Sequence, residues 1–336
     1  MHVSDRAPRV LVTGATGAVG PRVVAALAEA GCFVRALSLD PPPADLWPAG
    51  VEAEVGDVTD RAAVRAAMQG VDAVVHLAAL LHVVDPPAAL RSAYERINVG
   101  GTALVSEAAR EAGVGRLVLF STIAVYGASA GGVLTEDSVP HPDSFYAETK
   151  LAAEQIVRAA RRDDGGELGT VLRLGAVYGS RIKGNYRRLV TALARGRFVP
   201  IGPGLNRRTL VYDRDVGRAA VLAALHPAAA GQVFNVTDGR IHTLAEIIAA
   251  LCGALGRMPP RVTLPVGPAR RVAGLLEDGA RLCGLRSPVV RATIDKYTED
   301  VAVDGSRLCS LGFAPGYDLA AGWRETVAEM RQAGDL

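Results

Sequence analysis

Two patterns in this 336-residue chain place chemistry-bearing residues at useful spacings. In Tyr146-Ala147-Glu148-Thr149-Lys150 a phenol and an ammonium stand four apart, so on a helix both project from one face. A free phenol ionises at about pH 10 and is a poor base at neutrality. A nearby lysine cation and a positively charged nicotinamide ring both favour the phenolate and bring its pKa toward the working range. Such a pair can move a proton at a carbon-bound hydroxyl while hydride leaves or enters the same carbon, with Lys150 also bonding a nicotinamide ribose. The same spacing occurs on ordinary amphipathic helices, so support has to come from elsewhere. It comes from Leu117-Val118-Leu119-Phe120, an apolar strand that delivers Ser121 and Thr122 at its carboxyl end, where ligands bind in open α/β sheets. There Thr122 is placed to hold the reacting hydroxyl while Tyr146 moves its proton.

The second pattern is Thr13-Gly14-Ala15-Thr16-Gly17-Ala18-Val19-Gly20. Its three glycines serve a tight turn, a close backbone approach to a pyrophosphate, and close helix packing, and the helix that follows offers free N–H groups to phosphate. A bare glycine motif is weak, but this one follows a predicted strand and opens a predicted helix. Gly14, Thr16, Gly17, Ala18, Val19 and Gly20 are therefore expected to line a dinucleotide. At the end of the second strand, where a carboxylate often holds the ribose hydroxyls, the chain has Ser38, with Asp40 two residues later. Asp40 serves if the loop bends back, whereas Ser38 alone tolerates a 2′-phosphate. No arginine follows to clamp such a phosphate, which favours NAD and leaves NADP open. Asp57 and Val58, after the third strand, are placed beside the adenine, with an N-cap as the plainer role for Asp57. Leu77, Ala78 and Ala79 end the fourth strand with mostly small side chains that suit close passage of a cofactor, and His76 before them reads as a satisfied buried histidine.

These residues need a frame. Arg9–Thr13, 33–39, 51–55, 71–77, 116–121 and 169–174 read as short apolar strands. Helical stretches lie between them at 20–30, 61–68, 88–111 and 146–161. That alternation predicts an α/β fold with a doubly wound parallel Rossmann sheet. Beyond Tyr178 the basic stretch 181–188 reads as a loop, and a smaller C-terminal substrate-binding lobe follows. The expected division is 1–178 and 179–336, with the chain re-entering the first domain around 207–240.

Composition narrows the classes. With 37 basic and 35 acidic side chains and a net charge of +2, no nucleic-acid partner is indicated, while local arginines can still bind an anionic substrate. No apolar run reaches the ~18 residues that cross a bilayer, and no signal core is visible, so no membrane partner and a cytoplasmic location are expected. Cys32, Cys252, Cys283 and Cys309 show no metal or disulfide spacing and read as small hydrophobes.

Taken in order, TGATGAVG, GDVTD, HLAA, NVGGT, STIAVYG, YAETK, RLGAVYG and RTLVYDRDV resemble the extended short-chain dehydrogenase/reductase superfamily, in its NAD-dependent epimerase/dehydratase group, almost end to end. The resemblance implies Thr122, Tyr146 and Lys150 as the catalytic set. It also implies Arg208 on the nucleotide diphosphate, where the alternative is a solvated surface charge; Asn185 is a second candidate substrate contact. Ile123 and Ala124 stand where sugar 4,6-dehydratases carry an Asp-Glu pair, which disfavours dehydration. Ala176 stands where sugar epimerases have an asparagine. The resemblance points to a UDP-hexose 4-epimerase acting through a transient 4-keto sugar, and to a homodimer paired through helices 88–111 and 146–161. A nucleotide-sugar 4-ketoreductase using NADPH and a 3β-hydroxysteroid dehydrogenase-like enzyme remain open, the latter supported by the apolar helix around 266–276. A non-catalytic NAD(P)-binding module is the remaining class, and retention of both Tyr146 and Lys150 argues against it.

Overall fold

The computed structural model describes residues 6–81, 90–282 and 290–336. Its strands are β1 (Arg9–Thr13), β2 (Phe33–Ser38), β3 (Glu52–Val55), β4 (Ala73–His76), β5 (Arg116–Thr122), β6 (Gly169–Leu174), β7 (Ala176–Tyr178), β8 (Arg207–Tyr212), β9 (Val233–Val236) and β10 (Ile241–Thr243). The α-helices are α1 (Gly20–Glu29), α2 (Arg61–Ala67), α3 (Leu90–Tyr94), α4 (Thr102–Glu111), α5 (Phe145–Ala159), α6 (Asn185–Ala194), α7 (Asp213–Leu225), α8 (Leu244–Leu255), α9 (Val266–Leu282), α10 (Arg291–Thr298), α11 (Ser306–Cys309) and α12 (Leu319–Gln332). Among the described residues, seven strands pair in parallel in the order β3-β2-β1-β4-β5-β6-β9. This is the doubly wound Rossmann arrangement, and its switch point lies between β1 and β4.

Period-two alternation sorts the strand side chains into two cores. Val10 and Val12 of β1 pack with Val23 of α1 and Ala219 of α7 on one face. Leu11 between them packs with Val64 of α2, Val105 of α4 and Ala153 of α5 on the other. Burial on both faces explains why β1 and β5 read as continuous apolar runs. β3 is the edge strand, and its glutamates Glu52 and Glu54 both pair with Arg35, buried on β2. α1 and α7 approach closely because Gly217 has no side chain, since a Cβ there would lie 2.7 Å from the Arg22 carbonyl oxygen.

β9 and α7 belong to this layer although they follow residue 178. The remaining C-terminal elements carry a second, three-stranded sheet, β10-β8-β7, and an aromatic core in which Tyr178 stacks on Trp323 at 4.3 Å between ring centroids. No helix among the described residues is long and apolar enough to cross a membrane.

Two expectations change. The single helix at 88–111 is α3, then a π-helical segment over Glu95–Gly101, then α4, with residues 88 and 89 outside the described residues. Two glycines at the end of that segment, Gly100 and Gly101, make the wider turn sterically easy. The stretch 181–188 is a loop only as far as Gly184. Asn185 opens α6, whose apolar positions Val190 and Leu193 bury against the C-terminal core. Cys32 and Cys252 are buried with their thiol pKa values raised by burial, Cys309 is exposed, and Cys283 lies outside the described residues.

Replacing Gly217 by Val forces α1 and α7 apart and is expected to cost about 1–3 kcal/mol. Urea unfolding should show a lower midpoint at unchanged slope. An unmoved midpoint would refute the packing described here.

Candidate active site

The glycine turn is a cradle built by three different absences of a side chain. Gly14 has φ +70°, and a Cβ there would lie 2.7 Å from the Ala78 nitrogen, so the turn rests directly on the backbone that follows β4. At Gly20 a Cβ would lie 2.2 Å from the Ala15 carbonyl oxygen, so the helix starts tight against its own turn. Gly17 is exposed, and a Cβ there would meet only the Gly14 carbonyl, at 3.0 Å. Its open side leaves the backbone bare for a ligand. Thr16, Ala18 and Val19 are half-buried around it, and α1 begins at Val19 with no side-chain cap and no acidic residue in its first turn. Its N-terminal N–H groups and positive dipole end thus face the turn without a protein anion, which fits a dinucleotide pyrophosphate.

At the end of β2, Ser38 is buried and its hydroxyl donates to the Asp40 carbonyl at 2.8 Å. The Ser38 hydroxyl is thus spent on the loop that follows β2, and Asp40 in that loop is exposed. Asp57 accepts from the Thr59 N–H, and the cap of α2 is Asp60, so Asp57 is not an N-cap. The Val58 side chain is part of the core and packs under Gly101, where a Cβ would meet its Cγ2 at 3.1 Å. Leu77, Ala78 and Ala79 are half-buried along the cradle.

A buried relay holds that segment. The Ala78 N–H reaches the Thr13 hydroxyl at 3.4 Å, and Thr13 Oγ1 lies 2.6 Å from His76 Nδ1. His76 Nε2 lies 3.1 Å from Thr102 Oγ1, which donates to the Asn98 carbonyl. Because Thr102 spends its proton on Asn98, Nε2 must be the protonated nitrogen and Nδ1 the acceptor from Thr13. His76 is a neutral, satisfied histidine whose pKa is pushed down to about 3 by burial and by the nearby Lys150 cation. Asn98 in turn clamps Leu80, accepting from its N–H at 2.7 Å, and donates to Thr149 Oγ1, which donates to the Tyr146 carbonyl. The relay thus runs from the cofactor cradle to the helix bearing Tyr146.

That helix, α5, starts at Ser144, whose side chain caps Ala147. Tyr146, Lys150 and Glu154 follow at four-residue intervals on one face. Glu154 is buried and takes a 2.5 Å bond from Ser121, the neighbour of Thr122 on β5, and a bidentate pair from Arg173 on β6, with the shortest contact 2.6 Å. Arg173 also donates to the Tyr126 hydroxyl. Thr122 ends β5, half-buried, and accepts from the Ala124 N–H at 3.1 Å. The Tyr146 ring meets Tyr94 edge-on at 6.4 Å. Lys150 is buried and close enough to His76 to depress its pKa, so it lies over the end of β4.

The electrostatics correct the expectation about the phenol. Burial, with Tyr94 beside it, pushes Tyr146 up to about 12, while burial pulls Lys150 down to about 8 against the opposing pull of Glu154. In the protein alone desolvation dominates, and the phenol stays protonated.

The two expected substrate contacts, Asn185 and Arg208, differ in their surroundings. Asn185 is exposed at the start of α6. Arg208 donates from both terminal nitrogens to the carbonyls of Lys296, Tyr297 and Glu299, at the C-terminal end of α10. It therefore caps a helix dipole, which is neither a free surface charge nor an open phosphate fork. Arg207 is held by Asp300, whose carboxyl it keeps at about 2, so the Arg207–Arg208 pair offers little unspent positive charge.

The family model described as NAD dependent epimerase/dehydratase family matches residues 10–237. The chain belongs to this family. It is 28% identical over 321 residues to the N-acetyl-alpha-D-glucosaminyl-diphospho-ditrans,octacis-undecaprenol 4-epimerase of Escherichia coli O157:H7, covering 95% of this chain and 94% of that one. It is 31% identical over 276 residues to a 3 beta-hydroxysteroid dehydrogenase/Delta 5-->4-isomerase of Mycobacterium tuberculosis, covering 78% and 73%. Among solved structures it superposes on MoeE5 in complex with UDP-glucose and NAD with a TM-score of 0.75 and 30% identity, covering 97% and 99%. Asn98, Thr149 and Glu154 have no role in the spacing of the sequence motifs, and Ser121 is placed there only at the end of its strand. The four-residue step from Lys150 to Glu154 is the signal that could have found Glu154.

Glu154→Leu strands Arg173 in the core, and an uncompensated buried charge is expected to cost about 3–5 kcal/mol in urea unfolding. The double variant with Arg173→Met should recover much of the loss, and a single variant as stable as wild type would refute the clamp. A pH test isolates His76. Its folded pKa of about 3 lies below the usual value of about 6.5, so the unfolded chain binds the extra proton and stability falls as pH drops through that window. His76→Gln should flatten the decline between pH 6.5 and 4.5 relative to wild type, and parallel curves would contradict a buried neutral imidazole.

Proposed function

We propose that this protein is an NAD-dependent 4-epimerase of a UDP-linked hexose, working as a cytoplasmic homodimer. The observation that carries the reading is the burial of Tyr146 and Lys150 on one face of α5, which packs on β5 and β6 and is tied by hydrogen bonds to the glycine cradle. The 4-epimerase among its relatives and the UDP-glucose and NAD in MoeE5 support the choice of substrate class.

The cradle at Gly14, Gly17 and Gly20 and the N-terminus of α1 would hold the pyrophosphate, and Lys150 would hold the nicotinamide ribose. NAD held there would supply reversible hydride acceptance and a positive charge that favours the phenolate. Thr122 holds the sugar O4 through the hydroxyl proton it does not spend on Ala124. Tyr146 accepts the O4 proton as C4 becomes a carbonyl and, once the 4-keto sugar has rotated to turn the other face of C4 toward the returning hydride, gives the proton back to O4. Burial keeps water from the keto sugar, and Ile123 and Ala124 put no acid beside it to eliminate water. Arg208 must trade at least one of its α10 carbonyls for a phosphate oxygen to take the diphosphate.

A second reading, oxidation of a 3β-hydroxysteroid-like alcohol, draws on the 31% identical relative and on the engagement of Arg208 by α10. The two are separated by purifying the protein without added cofactor and supplying UDP-glucose. Interconversion with UDP-galactose and no net NADH supports the epimerase, and Tyr146→Phe should lower its rate about 10²–10⁴-fold while NAD binding persists. No interconversion, with NADH accumulating on a sterol alcohol, would establish the second reading instead.

A further inference from the structure

One surface of the C-terminal lobe combines cations without partners and apolar side chains without cover. Segments 195–202 and 257–276 contain Arg195, Arg197, Arg257, Arg261, Arg270 and Arg271 and no aspartate or glutamate. They run side by side. Ile201 bridges Leu264, the Gly202 N–H donates to the Leu264 carbonyl and the Leu264 N–H to the Pro200 carbonyl, each at 2.8 Å. The Arg257 guanidinium reaches the backbone at Gly196. Arg270 pairs with Asp295, and the other five arginines have no carboxylate partner among the described residues.

The apolar half is equally uncovered. Met258 is 77% exposed, Val262 70% and Leu275 74%, with Val272 and Leu276 also exposed. On α9, Val272, Leu275, Leu276 and Gly279 fall at i, i+3, i+4 and i+7, a single face. The opposite side carries Ala273, buried, together with the pairs Arg270–Asp295 and Glu277–Arg291 that dock α9 on α10. This helix therefore turns its ionic side inward and its apolar side to solvent, the reverse of an ordinary surface helix.

We propose that this face lies on the anionic surface of a lipid bilayer, with the apolar side chains in the interfacial layer and the arginines among lipid phosphates. Charge decides the occupant. A second copy meeting this face through a two-fold axis would set the unpaired arginines against themselves. An anionic bilayer supplies both the negative charge and the apolar depth that the surface lacks. Contact of this kind needs no spanning helix, so the absence of one leaves it intact. It is independent of the reaction assigned above.

The test is flotation of the full chain with vesicles of phosphatidylcholine alone or with one-third phosphatidylglycerol. The protein should float with the anionic vesicles only, and less at raised salt. Replacing Arg257, Arg261 and Arg271 by Gln should weaken partitioning about fivefold for each charge and roughly a hundredfold together. The pair Leu275→Ser and Leu276→Ser should abolish flotation, with the circular dichroism spectrum and the urea-unfolding midpoint unchanged. Failure of the wild-type chain to float with anionic vesicles would overturn the proposal. So would flotation indifferent to both sets of substitutions, or a dimer in sedimentation velocity that the leucine variants dissociate.

Discussion

The carboxylate of Glu154 is the constraint on which the site depends. It sits in the interior, where an ionised group is tolerated only if its lone pairs are filled, and Ser121 and Arg173 fill them. Those two donors come from adjacent strands, so the bond fixes both the height and the rotation of α5 against the sheet. Tyr146 and Lys150 lie on the same face two turns and one turn earlier, and their aim follows from that rotation. Arg173 carries the constraint onward through the Tyr126 hydroxyl to Asn235 on β9.

A second frame meets the first from the cofactor side. Gly14 against Ala78 brings two backbones into contact, and the relay through Thr13, His76, Thr102 and Asn98 locks the distance between them. Every bond of that chain has one consistent direction, each member accepting one and donating another, which is what makes a buried polar network rigid. The frames join at Thr149, between Tyr146 and Lys150 in sequence. The π-helical turn at Glu95–Gly101 is where Asn98 leaves the helix to make that junction, the usual setting of such turns at functional positions.

In the C-terminal lobe the same currency of charge is spent differently. Arg207 and Arg208 are absorbed by Asp300 and by the end of α10, holding that helix to β8. Farther out, along 195–202 and 257–276, five arginines stand without a carboxylate partner among the described residues, beside exposed apolar side chains. A lobe that satisfies its ion pairs near the site and leaves them open at its rim has two kinds of surface, one built for folding and one for an outside phase.

Much of this was readable in the amino-acid order, because local rules dominate there. The glycine turn between an apolar strand and a helix needs residues without a Cβ, and only glycine supplies them. Strand-helix alternation dictates a parallel sheet, and the Tyr146–Lys150 spacing puts both on one helical face whatever surrounds it. The rest depends on contacts distant along the chain. Arg208 reads as a phosphate ligand, and only tertiary packing brings it the end of α10, some ninety residues away, as a further partner. Val58 reads as a cofactor contact, and only the fold adds the packing of its side chain under Gly101. The phenol reads as ionisable because a cation lies four residues on, yet its desolvation is set by the whole fold and raises its pKa. Periodicity and residue type act over a turn or a strand, whereas burial and partner choice are properties of the assembled core.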